Sequence, residues 1–277
     1  MTHTRILLSA VAVLALAPSV SHAGKGGSAA AIRAAVESTS VDAIIAELER
    51  AEGLICSECV PVVAALTTDA RYPVREVAAW WFGRRQAYLE PMVAQFTTDL
   101  ATRDTIAVRN AADFLGATRT LGALPQLRAA IRRTDLGAEA RLAIVRAAAT
   151  LNQTAGNDVL VAGMADRDAG VRAAAVAAWR DMLGQTHALP VVPLLADADA
   201  SVRAQACGVI GGLLEQTGRT ALEGLVVNDG DPVVRRNAAW ALGQLGNVAS
   251  RGALTLAAGD PSGIVRGIAR AALAQLK

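Results

Sequence analysis

Histidine, aromatic residues and net charge are all scarce in this chain, and each scarcity removes a class of function. Of 277 residues 3% are aromatic and 53% apolar, so neither an aromatic-rich β-sandwich nor a disordered chain fits. The only histidines are His3, His22 and His187. A His-rich zinc or di-iron site therefore lacks its ligands, and a Ser-His-Asp arrangement would have to be built wholly on His187. His187 sits in Thr186-His187-Ala188-Leu189-Pro190, where a helix is expected to begin, and reads as a surface or capping residue. Lys and Arg number 27 against 25 Asp and Glu, too even a balance to gather nucleic acid by phosphate neutralisation. No catalytic residue, metal site or cofactor is assigned on this basis, and the chain is not read as an enzyme.

Long apolar runs are missing as well, apart from a short one at the start. Met1 to Arg5 is basic, Ile6 to Ala17 is apolar, and Ser21-His22-Ala23 places small residues at −3 and −1. That pattern reads as a secretory signal peptide over 1–23, cleaved after Ala23, since the apolar stretch is too short for a comfortable span. A retained, membrane-anchored start is the alternative. No later segment approaches eighteen uncharged apolar residues, so the expected mature protein has no membrane span and is exported, to the periplasm or outside the cell.

What the chain has in abundance is repetition. A small apolar anchor, usually followed by Arg, recurs at Val74, Ala107, Ala140, Val171, Val202, Val234 and Val265, at spacings of 33, 33, 31, 31, 32 and 31 residues. That period suits a pair of short helices with two turns. Four residues on stand Ala78, Ala111, Ile144, Ala175, Ala206, Ala238 and Ala269, and eight on stand Phe82, Leu115, Ala148, Trp179, Ile210, Leu242 and Leu273. Offsets 0, 4 and 8 make one apolar helical stripe. Offset 9 is mostly tiny, with Gly83, Gly116, Gly211 and Gly243, and predicts close approach of a neighbouring element.

Polar residues also recur by register. Asp104, Asp168, Asp199, Asp231 and Ser262 stand three before the anchor, as N-caps of the second helix of each unit, with Arg71 and Gly137 as exceptions. Asp69, Asp135, Asp166, Asp197, Asp229 and Asp260 stand five before it, and Arg75, Arg141, Arg172, Arg203, Arg235 and Arg266 directly after it. An active site occurs once, whereas these acids recur per unit, so they are read as turns and caps that meet the arginines in an exposed ladder along one edge, worth about 0.2 to 1 kcal/mol per pair. A basic groove for acidic partners is the other reading of the arginines. The leading helices are shorter, with prolines near their first turns, as in Leu89-Glu90-Pro91 and Leu189-Pro190-Val191-Val192-Pro193. Ser28 to Ser38 and Val41 to Glu52 lie outside the register and read as a cap on the array.

The pattern Asp-x-Asp-x-x-Val-Arg, then Ala-Ala and Leu-Gly, almost complete in Asp229 to Gly246, resembles the HEAT repeats of the phycobilin-lyase type over about residues 57–277. The resemblance implies an all-α fold: an armadillo-type, HEAT-like α-solenoid of about seven helix pairs, with a helical cap at 24–56 and the array at 57–277. It implies a protein that mostly binds other proteins. Some relatives attach bilins, and the similar deoxyhypusine hydroxylases bind iron through His-Glu pairs. No His-Glu pair occurs in this chain, so hydroxylase activity does not carry over, and no bilin site is identifiable.

Function in a repeat protein is sought where one unit departs from the rest. Cys56-Ser57-Glu58-Cys59 occurs once, at the expected start of a leading helix, where N–H groups favour a thiolate. A disulfide is the first reading in an exported protein, and a thiol-exchange site the sharper one. Haem attachment fails because Val60 stands where histidine is needed. Cys207, at a position that is Ala79, Ala112 or Ala239 elsewhere, reads as a small buried filler. Trp179, at offset 8, is core. Offset 6 holds Trp80, Asp113, Arg146, Ala177, Gly208, Trp240 and Ala271, and a position accepting Asp and Arg should be partly open. Trp80 and Trp240 are therefore partner-contact candidates, with Arg84 and Arg85 beside Trp80. Trp81 is expected to be half-buried. The function expected is an exported, non-catalytic scaffold binding another protein. A redox or cofactor-handling accessory acting through Cys56 and Cys59 is the alternative, and a groove for a pigment or acidic polymer a third.

Overall fold

The computed structural model of the protein describes residues 27–276, and the expected signal segment lies outside them. Among the described residues every regular element is helical, and no helix is long and apolar enough to cross a membrane. The described residues divide into two compact units, on either side of the step from Gln126 to Leu127.

The first unit holds α1 (Ala29–Glu37), α2 (Val41–Arg50), α3 (Cys59–Leu66), α4 (Tyr72–Gly83), α5 (Gln86–Asp99) and α6 (Thr105–Ala117). Ser28 and Ser40 cap α1 and α2 by accepting from Ala31 N–H and Ala43 N–H, which is why this pair begins where it does. α2 packs on α4 and α4 on α6, so the N-terminal pair lies against the first trailing helix as a further repeat would. Trp81, Phe82, Phe96 and Phe114 are buried here. Phe96 stacks on Phe114 at 4.3 Å and Trp81 meets Phe82 edge-on at 5.2 Å, arrangements that ring quadrupoles favour. Trp81 is thus fully core rather than half-buried. α5 starts earlier than its proline suggested, leaving Pro91 inside the helix.

α7 (Leu124–Ile131) straddles the division. The second unit continues with α8 (Ala138–Leu151), α9 (Asn157–Met164), α10 (Ala169–Trp179), a 3₁₀ helix (Leu189–Ala196), α11 (Ala200–Gly212), α12 (Arg219–Asn228), α13 (Pro232–Leu245), α14 (Arg251–Ala257) and α15 (Gly263–Gln275). The trailing helices α8, α10, α11, α13 and α15 each pack on the next. Pro193 disfavours an α-helix here, because it removes an N–H that would bond the Leu189 carbonyl, whereas Pro190 stands in the first turn where no such bond is made. All seven offset-4 residues are buried, as are offsets 0 and 8 apart from half-buried Ala107 and Leu273. Asp104, Asp168, Asp199 and Asp231 accept from first-turn N–H groups, whereas Ser262 makes no such bond.

The Asp/Arg ladder exists in this unit, but it is not exposed. Arg141 pairs with Asp166, Arg172 with Asp197, Arg203 with Asp229 and Arg235 with Asp260, each side chain between 3% and 17% exposed. Each arginine forks onto the carboxylate of the following repeat. Arg172, Arg203 and Arg235 also donate to two turn carbonyls of their own repeat. Each aspartate in turn accepts the N–H two residues on, at Asp168, Asp199, Asp231 and Ser262. The guanidinium forks of these four arginines are thus occupied within the array.

Candidate functional site

The residues singled out in the first unit gather at the seam between the N-terminal pair and the first repeat. Trp80 and Glu76 lie one turn apart on α4, Ile45 and Glu49 one turn apart on α2, so the packed helices present all four together. With Pro73 and Val77 they line an open groove of about 280 Å³. Trp80 is half-buried and one wall of it. Arg84 stands over the indole, 4.9 Å from the ring centroid, and its Nε donates to Glu52 at 2.8 Å. The ring quadrupole attracts the cation. Tyr72 donates its hydroxyl proton to Glu76 at 2.9 Å. The result is an apolar floor with acidic residues on its rim.

Arg85 departs from its expected part. Its guanidinium donates to the carbonyls of Trp81, Ala51, Glu52 and Leu54 at 2.6 to 3.0 Å and lies 3.4 Å from the Trp81 ring centroid. Burial pushes its pKa down to about 10, with Glu52 and Tyr88 opposing. It is a clamp that holds the loop after α2 onto α4, with both terminal nitrogens engaged on backbone carbonyls. Neighbouring Arg84 is exposed.

The clamped loop carries the cysteine pair. Cys56 and Cys59 stand at disulfide distance, with sulfurs 2.15 Å apart. Cys59 opens α3 and is fully buried, whereas Cys56 is half-buried and its neighbour Ile55 is 85% exposed. Cys59 N–H donates to Cys56 Sγ at 3.1 Å.

In the second unit Trp240 is 37% exposed, its ring edge lying where a methyl on Gly211 would stand, 2.8 Å away. Only the rim of this indole is available. Trp179 is core and donates its Nε1–H to the His187 carbonyl at 2.9 Å, and His187 itself is exposed. Buried Cys207 has its thiol pushed up to about 12, by desolvation and then by Asp229. A second open groove, of about 620 Å³, lies between the 3₁₀ helix and α12, lined by Val192, Pro193, Ala221 and Leu225. Among the described residues no group of three His, Cys, Asp or Glu is placed to hold a metal ion.

Repeat register carries no signal for Glu49 and Glu76, although their i, i+4 spacing to Ile45 and Trp80 is visible in the sequence. Asp113 sits at a supposedly open position yet is buried, paired with Arg75 at 2.6 Å. The signal was Thr102: it stands where other repeats carry the ladder aspartate, so Arg75 finds its carboxylate at Asp113 instead.

Residues 188–274 match a family model described as HEAT repeats. No curated protein matches the sequence. Among solved structures, Escherichia coli YibA is similar at 15% identity, over 91% of this chain and 93% of that one, with a TM-score of 0.58. Human deoxyhypusine hydroxylase is similar at 18% identity over 90% and 96%, TM-score 0.39. The CpcE–CpcF complex of phycocyanin lyase from Nostoc is similar at 20% identity over 78% and 86%, TM-score 0.38. The likeness to YibA is one of fold.

Proposed function

We propose that this chain, an α-solenoid whose residues 188–274 are HEAT repeats, is an exported scaffold that binds another protein through the groove at Trp80. The observation that carries the reading is the groove itself: a half-buried tryptophan braced by Arg84, an apolar floor of Ile45, Pro73 and Val77, and Glu49 and Glu76 on the rim. Indoles set in such pockets concentrate binding energy at interfaces. The acidic rim selects an extended segment that combines an apolar side chain with Lys or Arg. The rim of Trp240 is a second, smaller contact.

The test starts from the full-length protein recovered from the exported fraction together with its partner. Trp80→Ala with Arg84→Ala is expected to weaken that complex by about tenfold or more, with helicity unchanged, and Glu49→Lys with Glu76→Lys to weaken it further. Full binding by the Trp80/Arg84 double variant would remove the site. Recovery of the protein only from the cytoplasm, with Met1 to Ala23 intact, would remove the export.

A further inference from the structure

We infer that Cys56 and Cys59 form a thiol–disulfide exchange site that accepts electrons from dithiol-bearing polypeptides, with Cys56 as the sulfur attacked and Cys59 as the sulfur that leaves. Three observations support this assignment. The first is asymmetry of access: Cys59 is fully buried, while Cys56 is half-buried on a loop where Ile55 and Ser57 are exposed. An incoming thiolate can therefore reach one sulfur of the two. The second is charge stabilisation at that same sulfur, since Cys59 N–H, at the first residue of α3, points at Cys56 Sγ from 3.1 Å. A backbone donor at a helix start favours the thiolate and makes it a better leaving group on the return step. The third is that the loop does not depend on the bond. Arg85 holds the carbonyls of Ala51, Glu52 and Leu54, and Leu54 N–H and Cys59 N–H close backbone turns onto Ala51 and Cys56. Val60 N–H closes a further turn onto Ser57, independent of the Cys59 N–H that is shared between Cys56 Sγ and its carbonyl. A bridge that closes so short a loop adds little stability, so the pair can open and close while the surrounding helices stay in place. Ile55, 85% exposed beside Cys56, offers an apolar foothold to the incoming chain.

The step balances without a metal or prosthetic group. A substrate thiolate attacks Cys56 Sγ, the Cys56–Cys59 bond breaks, and Cys59 leaves as a thiolate that takes up a proton released by the substrate's second thiol. That second thiol, now a thiolate, attacks its partner sulfur in the mixed disulfide and expels Cys56. The substrate loses two electrons and two protons and gains a disulfide, and the cysteine pair is reduced. A low-molecular-mass disulfide such as oxidised glutathione restores the pair by the same exchange in reverse.

The experiment uses the full chain with the buried Cys207 as an internal control. Reduced wild type is expected to keep its helicity and to be reoxidised by oxidised glutathione. Cys59→Ser is expected to be alkylated by iodoacetamide at Cys56 about tenfold or more faster than Cys56→Ser is alkylated at Cys59. It should also trap a mixed disulfide with a reduced dithiol peptide. Equal alkylation rates, absence of the trapped species, or loss of helicity on reduction would overturn the assignment. Partner binding at Trp80 is read separately, so failure of either leaves the other standing.

Discussion

Two adjacent arginines, Arg84 and Arg85, show how little residue type says about role. Arg84 is exposed, with one hydrogen bond to Glu52 and the Trp80 ring beneath it, whereas Arg85 places its donors on four carbonyls. Truncating a surface pair member changes stability by about 0.5 kcal/mol or less. Removing a charged donor from these mostly part-buried carbonyls costs about 1.5 to 3 kcal/mol. Arg85→Ala should therefore lower the urea midpoint clearly while Arg84→Ala leaves it nearly unmoved, and equal midpoints would contradict the clamp. The ladder makes a similar point. Asp229→Asn keeps the side chain's shape but leaves Arg203, 17% exposed, without its counter-charge. Taking the charge from this half-buried fork costs about 1.5 to 3 kcal/mol, so the variant should melt below wild type. A loss under about 1 kcal/mol would return the ladder to the exposed, register-setting role that its sequence pattern suggested.

Between elements the decisive residues are glycines at one register. Gly211 and Gly243 sit at offset 9, where an added methyl would come within 2.7 Å of Ala241 Cα and 2.8 Å of Ala272 Cβ. Helix α11 thereby approaches α13, and α13 approaches α15, more closely than any side chain would permit. Gly208 lies on the same helix as Gly211, but a methyl there meets nothing within 4 Å. Gly208→Ala should therefore stabilise by up to about 1 kcal/mol through helix propensity. Gly211→Ala should destabilise by about 1 to 3 kcal/mol despite the same propensity gain, and thermal melts of the two in parallel decide it. Self-alignment of the repeats made this close approach legible, because one position kept returning tiny residues. It failed at Gly83, where a methyl also meets nothing, since a row average says nothing of what stands opposite one member. Burial of the ladder was illegible for a related reason: Asp and Arg at fixed offsets reveal pairing, but only the packed neighbours decide whether water reaches the pair. The Arg85 clamp had no sequence signal at all, its partners being backbone carbonyls 31 to 34 residues away.

For the whole molecule the recurrence of one device makes stability a function of pH. Arg172 hydrogen-bonding to Asp197, and Arg235 to Asp260, hold those carboxyls below the usual aspartate range. At Asp166 and Asp229 burial pushes up, but the Arg141 and Arg203 forks together with backbone N–H groups outweigh it and the net direction is again down. Asp69 is lowered by Arg71. A carboxyl whose folded value lies below its unfolded one contributes stability that is complete above the unfolded value, about 3.9, and vanishes as pH falls through the folded one. The arginine partners stay charged throughout. The melting temperature should consequently be almost level between about pH 7 and 5 and fall steeply below about pH 4. Four of these five aspartates belong to the second unit and only Asp69 to the first. Acidification should therefore loosen the second unit first, and hydrogen exchange followed by mass spectrometry at about pH 3 can resolve the order. Peptides from α8 to α15 should lose protection before those from α3 to α6. Simultaneous loss in both units, or a melting temperature unchanged down to pH 3, would mean that the half-buried ladder is not what links this fold to pH.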